Sequence, residues 1–215
     1  LPVILGMRDP DVDEAIRRQL TNGISFSTNT ALETELAELL CRLIPCAEMC
    51  RFGKNGTDVT TAAVRVARAY TGRELVLLSG YHGWNDWSMW TTERNLGITE
   101  QRSNAIEYGN LRSLDIHDQR DTAAIIVEPN DYPAYISRLR QYCDNHSIVL
   151  IFDEIITGFR YPGFSAQKHF GVTPDLTTLG KALGNGMPIN ALVGRRDIMM
   201  RMEPPDSIFY SGTFQ

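Results

Sequence analysis

Lysine is scarce in this chain of 215 residues. Only Lys54, Lys168 and Lys181 stand among its 21 basic residues, so chemistry that needs an amine nucleophile has three candidates. No basic block occurs, and 26 acidic residues leave a formal net charge of −5. That argues against a sequence-independent nucleic-acid footprint. No apolar run approaches the roughly 18 residues of a membrane-spanning helix. Cysteine is sparse: Cys41, Cys46, Cys50 and Cys143, with neither CxxC spacing nor a histidine cluster. Reduced, buried thiols in a cytoplasmic setting are therefore expected, rather than zinc or disulfides. A GxxxxGK[ST] loop and a GxGxxG fingerprint are both missing, which weighs against a nucleotide-dependent enzyme.

What is present is ordinary globular composition, 43% hydrophobic and 22% charged, which disfavours disorder. Asp9-Pro10 reads as a cap followed by proline at the first helical position, with a helix to Asn22 and Gly23 beyond it. Thr30 and Glu33 have the spacing of a capping box. Leu32, Leu36, Leu39, Leu40 and Leu43 then share one helical face, and Pro45 follows. A second apolar stripe runs from Val59 to Tyr70 and closes at Gly72. A third helix is predicted over Ala134–Asn145. Between the helices lie short apolar runs at 47–52, 74–79, 123–127, 148–152 and 191–193. Several are rich in Val and Ile without polar alternation, as in parallel strands buried on both faces. The alternation predicts a layered α/β domain. Residues 83–120 are polar and poorly periodic, and read as loop with short helical pieces.

Five segments carry chemistry. Phe52-Gly53-Lys54-Asn55-Gly56-Thr57 follows a strand and opens a helix. It suits a phosphate at a helix N-terminus, or is a plain turn with Thr57 as the cap. Asp153 ends the apolar strand that starts at Ile148, at the carboxyl edge where α/β sheets bind ligands. It could pair with a cationic ligand nitrogen, ligate Mg²⁺ or cap a helix. Lys181 follows Leu179-Gly180 and precedes Gly184 and Gly186. It is either a Schiff-base lysine or a salt-bridged loop residue. Tyr81, next to His82 after another strand, is a stacking aromatic or a core residue. Glu128 ends the strand over 123–127. A phosphate cradle, a stacking ring, a carboxylate and a lysine are together what pyridoxal phosphate requires.

With these motifs in order, the chain resembles the class III aminotransferases, in the branch similar to glutamate-1-semialdehyde 2,1-aminomutase. The stretches that carry the likeness are Asn55-Gly56-Thr57-Asp58, Tyr70-Thr71-Gly72-Arg73, Tyr81-His82-Gly83 and Ile126-Val127-Glu128-Pro129. They continue through Leu150 to Arg160, Pro174 to Lys181, Gly184 to Pro188, and Ser211-Gly212-Thr213. The resemblance implies the three-layer, mostly parallel large domain of the aspartate-aminotransferase-like fold. It implies a strand and helix segment over 1–45, a cofactor domain over 46–215, and no counterpart here of the family's C-terminal small domain. It implies a Schiff base on Lys181, a pyridinium partner in Asp153, phosphate ligands in Asn55, Gly56 and Thr57, ring contacts from Tyr81 and Ile155, a cofactor contact from His82, and positioning by Glu128. Thr213 would reach the neighbouring site of a homodimer, and Ser25 and Ser27 would face substrate. The activity implied is amino transfer to a keto or aldehyde acceptor, or its intramolecular form. An inactive fragment or dimerisation module is the other alternative. Trp84-Asn85-Asp86-Trp87 departs from the aminomutases and looks more like relatives in surface-polysaccharide pathways. No metal ligand set is implied.

Overall fold

A computed structural model describes residues 1–99, 102–107, 109–130 and 132–212. The chain opens in turns and then forms α1 (Pro10–Asn22), capped by the Asp9 carboxylate on the Val12 N–H at 3.1 Å. α2 (Ala31–Leu43) carries the Thr30/Glu33 capping box. β1 (Met49–Gly53), α3 (Gly56–Thr71) and β2 (Leu75–Ser79) follow, then the short α4 (Asp86–Met89) and β3 (Ser103–Ala105). β4 (Thr122–Val127), α5 (Pro133–His146) and β5 (Val149–Glu154) come next. The one-turn α6 (Ala166–Phe170), β6 (Leu176–Leu179), β7 (Asn190–Gly194) and α7 (Arg196–Met199) complete the order.

The seven strands form one sheet in the order β1-β7-β6-β5-β4-β2-β3. All neighbours are parallel except β7, which runs against both β1 and β6. Successive residues of a strand face opposite sides, and both sides are covered. Val76, Leu78, Ala124, Ile126, Val149 and Ile151 pack beneath α3. Leu75, Leu77, Ile125, Val127, Leu150 and Phe152 pack against Ile136, Leu139 and Cys143 of α5. Leu40 of α2 and Ile44 just past its end add a layer over Leu179, Ala191 and Val193. Burial on both faces is why β2, β4 and β5 lack polar alternation. The result is the expected three-layer α/β fold.

The structure corrects the reading in two places. Residues 1–9 contain no strand: Gly6 N–H bonds the Val3 carbonyl in a turn, and the Asn185 side chain takes the Leu5 N–H. Within the stretch read as loop, β3 adds a strand at the edge of the sheet, paired with β2 from Val76 to Leu78. All four cysteines are free thiols, with Cys46 and Cys143 buried and the other two half-buried. Among the described residues, no helix is long and apolar enough to cross a membrane.

Candidate active site

A cavity of about 420 Å³ opens at the carboxyl ends of the parallel strands. That volume lies in the range of small-molecule sites. Its lining includes Lys54, Asn55, Gly56, Thr57, Tyr81, Glu128, Asp153, Ile155 and Lys181, so all eight expected cofactor contacts other than His82 and Thr213 meet there, and Lys54 is an addition.

The anion end is built by the start of α3. Asn55 is the cap residue, its N–H bonding the Asp58 carboxylate at 2.7 Å. Thr57 is therefore not the cap but a residue of the first turn. Its Oγ1 is buried and has no hydrogen-bond partner. The first N–H groups of a helix also lack internal acceptors and favour negative charge. An orphaned hydroxyl beside free amides is the arrangement a phosphate completes.

The carboxylate end is built by β5 and its neighbours. Asp153 is 5% exposed. It lies in register with Thr178 of β6, whose hydroxyl donates to Asp153 Oδ1 at 2.9 Å. The Ile155 N–H donates to the same oxygen at 3.2 Å. His82 Nδ1 sits 2.8 Å from the other oxygen, and its Nε2 is 2.9 Å from the Ser79 carbonyl. His82 does not line the cavity. It is 1% exposed and stands behind Asp153, so its contact to the site runs through that carboxylate. Glu128 is half-buried at the end of β4, and burial, then the charge of Asp153, raises its pKa above the ordinary glutamate value.

Lys181 lines the cavity directly after Gly180, with a positive φ of 42°. A Cβ on Gly180 would lie 2.0 Å from Asn190 Oδ1, so only glycine lets Asn190 and Lys181 approach this closely. Asn190 in turn donates to the Lys54 carbonyl at 2.7 Å. Tyr81 and Trp84 are 66% and 72% exposed at the rim, so Tyr81 is no core residue. Ser25 and Ser27 are exposed and lie off the cavity lining, because the segment between α1 and α2 does not fold over it. Thr213 lies outside the described residues. Thr178, Asn190 and Trp84 were not among the expected site residues. For Thr178 the available signal was its place in the strand before Lys181, and for Trp84 the aromatic run after Tyr81.

A family model for class III aminotransferases matches residues 1–215. The chain belongs to the class III aminotransferases. This family depends on pyridoxal phosphate. Among solved structures the chain is similar to an omega-transaminase from Sphaerobacter thermophilus, with 33% identity and a TM-score of 0.89, over 99% of this chain and 56% of that one. It is also similar to a transaminase with PLP bound, at 28% identity and a TM-score of 0.88, covering 99% and 56%. A beta-phenylalanine aminotransferase from Variovorax paradoxus gives 28% identity and a TM-score of 0.84, covering 96% and 50%. The chain thus spans about half the length of these relatives.

Proposed function

We propose that this chain forms the cofactor-holding part of an aminotransferase that moves an amino group onto a keto or aldehyde acceptor. The observation that carries this is the meeting of Lys181, Asp153 and the orphaned Thr57 hydroxyl in one cavity. Pyridoxal phosphate, when bound, supplies a carbonyl carbon that condenses with amines and a ring that withdraws electrons. Thr57 Oγ1 and the amides at the start of α3 bind its phosphate. Asp153, held by Thr178, Ile155 and His82, orients the ring and holds a proton at its nitrogen. Tyr81 and Ile155 contact the ring, and Glu128 helps set its position. Lys181 Nζ anchors the carbonyl carbon and then moves the proton.

Transfer between two molecules is favoured over the intramolecular reaction of a glutamate-1-semialdehyde 2,1-aminomutase, because the relatives reported above are transaminases. In this reading the enzyme is a homodimer, with Thr213 serving the neighbouring copy's site. The apolar, exposed Trp84 and Met187 at the cavity support a covered face there. The test is spectroscopic. Purified protein given pyridoxal phosphate develops a visible absorbance band that borohydride bleaches. Reduction leaves the added mass on the peptide containing Lys181, and Lys181→Ala abolishes both signals. A protein that stays colourless overturns the proposal.

A further inference from the structure

The turn at the anion end of the cavity is gripped from outside it. β1 leads into this turn, and β1 is the end strand of the sheet, so the sheet braces the approach from one side only. A second brace comes from the far end of the chain. After α7 the chain turns back over α3 and β1. The Ile208 N–H bonds the Arg201 carbonyl at 2.8 Å, the Arg65 guanidinium of α3 donates to the Phe209 carbonyl at 3.0 Å, and Glu203 pairs with Arg51 of β1. These ties set Tyr210 against the last two residues of β1. Its hydroxyl donates to the Phe52 carbonyl at 2.9 Å. A Cβ built on Gly53 would collide with Tyr210 Oη, and would lie 3.0 Å from Val59 Cγ1 and 3.5 Å from Asp58 Cβ. The strand before the turn, the helix after it and the tyrosine thus close on one point, which glycine leaves open. Asp58 is also the acid that accepts the Asn55 N–H at 2.7 Å. Tyr210 itself is half-buried and does not line the cavity, so it reaches a ligand only through the backbone of 52–57. Donors that bind an anion well are those already held in the bound geometry.

Resting on the cofactor reading above, we propose that Tyr210 is a positioning residue for the phosphate turn. It clamps Phe52 and Gly53, so that the amides at the start of α3 and the Thr57 hydroxyl meet the phosphate already aligned. The role involves no contact with the cofactor and no covalent step.

The experiment compares two probes on the protein stripped of cofactor: pyridoxal phosphate, and pyridoxal, which lacks the phosphate. Affinities are read by quenching of intrinsic fluorescence, without any turnover assay. The ratio of the two affinities within each variant isolates the phosphate end and cancels general loosening of the fold. Tyr210→Phe removes only the bond to the Phe52 carbonyl and should weaken pyridoxal phosphate by about three- to tenfold. Tyr210→Ala also removes the ring and should weaken it by more than about tenfold, so the phenylalanine variant rescues part of the loss. Pyridoxal affinity should hold to within about twofold in both. Gly53→Ala should lower the same ratio, and by less in the Tyr210→Phe background, where the hydroxyl it collides with is gone. Should Tyr210→Ala fail to fold, Tyr210→Phe and the Gly53 pair carry the test. An unchanged ratio in the Tyr210 variants, equal weakening of both probes, or strictly additive Gly53 and Tyr210 losses overturns the assignment while the cofactor reading stands. If the unmutated protein binds neither probe, or shows no preference for the phosphate form, the cofactor reading itself fails and takes the assignment with it.

Discussion

Gly83 joins two walls of the cavity, and changing it to alanine should damage both. It follows His82 at the end of the β2 connection and has φ +105°. A Cβ built there falls 2.6 Å from Thr57 Oγ1, 2.9 Å from Thr57 Cβ and 3.1 Å from Thr57 Cα. The last of these is backbone, so a rotamer change cannot relieve it. Two costs add. Holding an L-residue at this φ costs about 1–3 kcal/mol, and forcing apart packed backbone costs about 1–3 kcal/mol more. Gly72→Ala is the control. Gly72 also has a positive φ, 68°, yet a Cβ there meets nothing within 4 Å. Only the conformational cost, about 1–2 kcal/mol, applies to it. For a domain of this size each kcal/mol shifts Tm by about 2–4 °C. Gly83→Ala should therefore lower Tm by about 8–16 °C at the middle of its range, and Gly72→Ala by about 2–8 °C. The site gives a second readout. Gly83→Ala pushes Thr57 away from the anion end and should weaken pyridoxal phosphate binding, whereas Gly72→Ala should leave it unchanged. Scanning calorimetry and a fluorescence titration measure the two. Equal Tm losses with equal cofactor affinity would refute the idea that the Gly83–Thr57 contact sets the cradle.

Two further predictions concern buried charge. Asp175 is 5% exposed and accepts from Arg140, Arg195 and the Leu150 N–H, each at 2.8 Å. Asp175→Ala removes the buried partner of the largely buried Arg140, leaving it only the exposed Asp144 at 2.8 Å, and should cost about 3–5 kcal/mol, or about 6–20 °C in Tm; a loss below about 2 °C would refute the clamp. Because Asp175 precedes β6 while the site lies past its far end, pyridoxal phosphate affinity should be retained. Glu128, whose pKa is raised by burial first and by Asp153 second, binds a proton more tightly folded than unfolded. Stability is thus lost as pH rises from the ordinary glutamate value of 4.5 through the raised folded value. Glu128→Gln should gain Tm relative to the unmutated protein above that window and not below it; a pH-independent difference between the two melting curves would show the opposite.

The parts of this fold that could be read from sequence are those whose cause is local. Thr30 and Glu33 cap α2 through contacts three residues apart, and Asp9 caps α1 in the same way. β2, β4 and β5 show themselves because burial on both faces leaves their middles a run of apolar residues, with polar ones only at the ends. β3 escaped because a three-residue edge strand, Ser103-Asn104-Ala105, needs no apolar pattern: its pairing with β2 supplies the structure. The N-terminal residues failed for the converse reason. Val3, Ile4 and Leu5 have strand-like composition, but their backbone is held by a turn and by Asn185, and neither partner is visible in a local window. His82 was placed in the right neighbourhood and the wrong layer. Its ring touches the carboxylate rather than the cavity, a distinction of a few ångströms that depends on Ser79 accepting from the far nitrogen.

The deeper illegibility is register, and it explains how the site is assembled. β1, β6, β5, β4 and β2 all run in one direction, because β7 is antiparallel to both of its neighbours. Their carboxyl ends therefore deliver Lys54 to Thr57, Lys181, Asp153, Glu128 and Tyr81 to a single edge. This much follows once the sheet is known to be mostly parallel. β7 inverts the rule: being reversed, it brings its first residue to that edge, where Asn190 pairs with Gly53. Asn190 then reaches the Lys54 carbonyl and packs where a Cβ on Gly180 would stand. One antiparallel strand thus ties the turn before α3 to the turn before Lys181, the two ends of the proposed cofactor site. No spacing between positions 53, 180 and 190 encodes that tie; it exists only through the strand order. Had β7 run parallel, its carboxyl end at Gly194 would have met the site instead, and a residue without a side chain could hold neither turn.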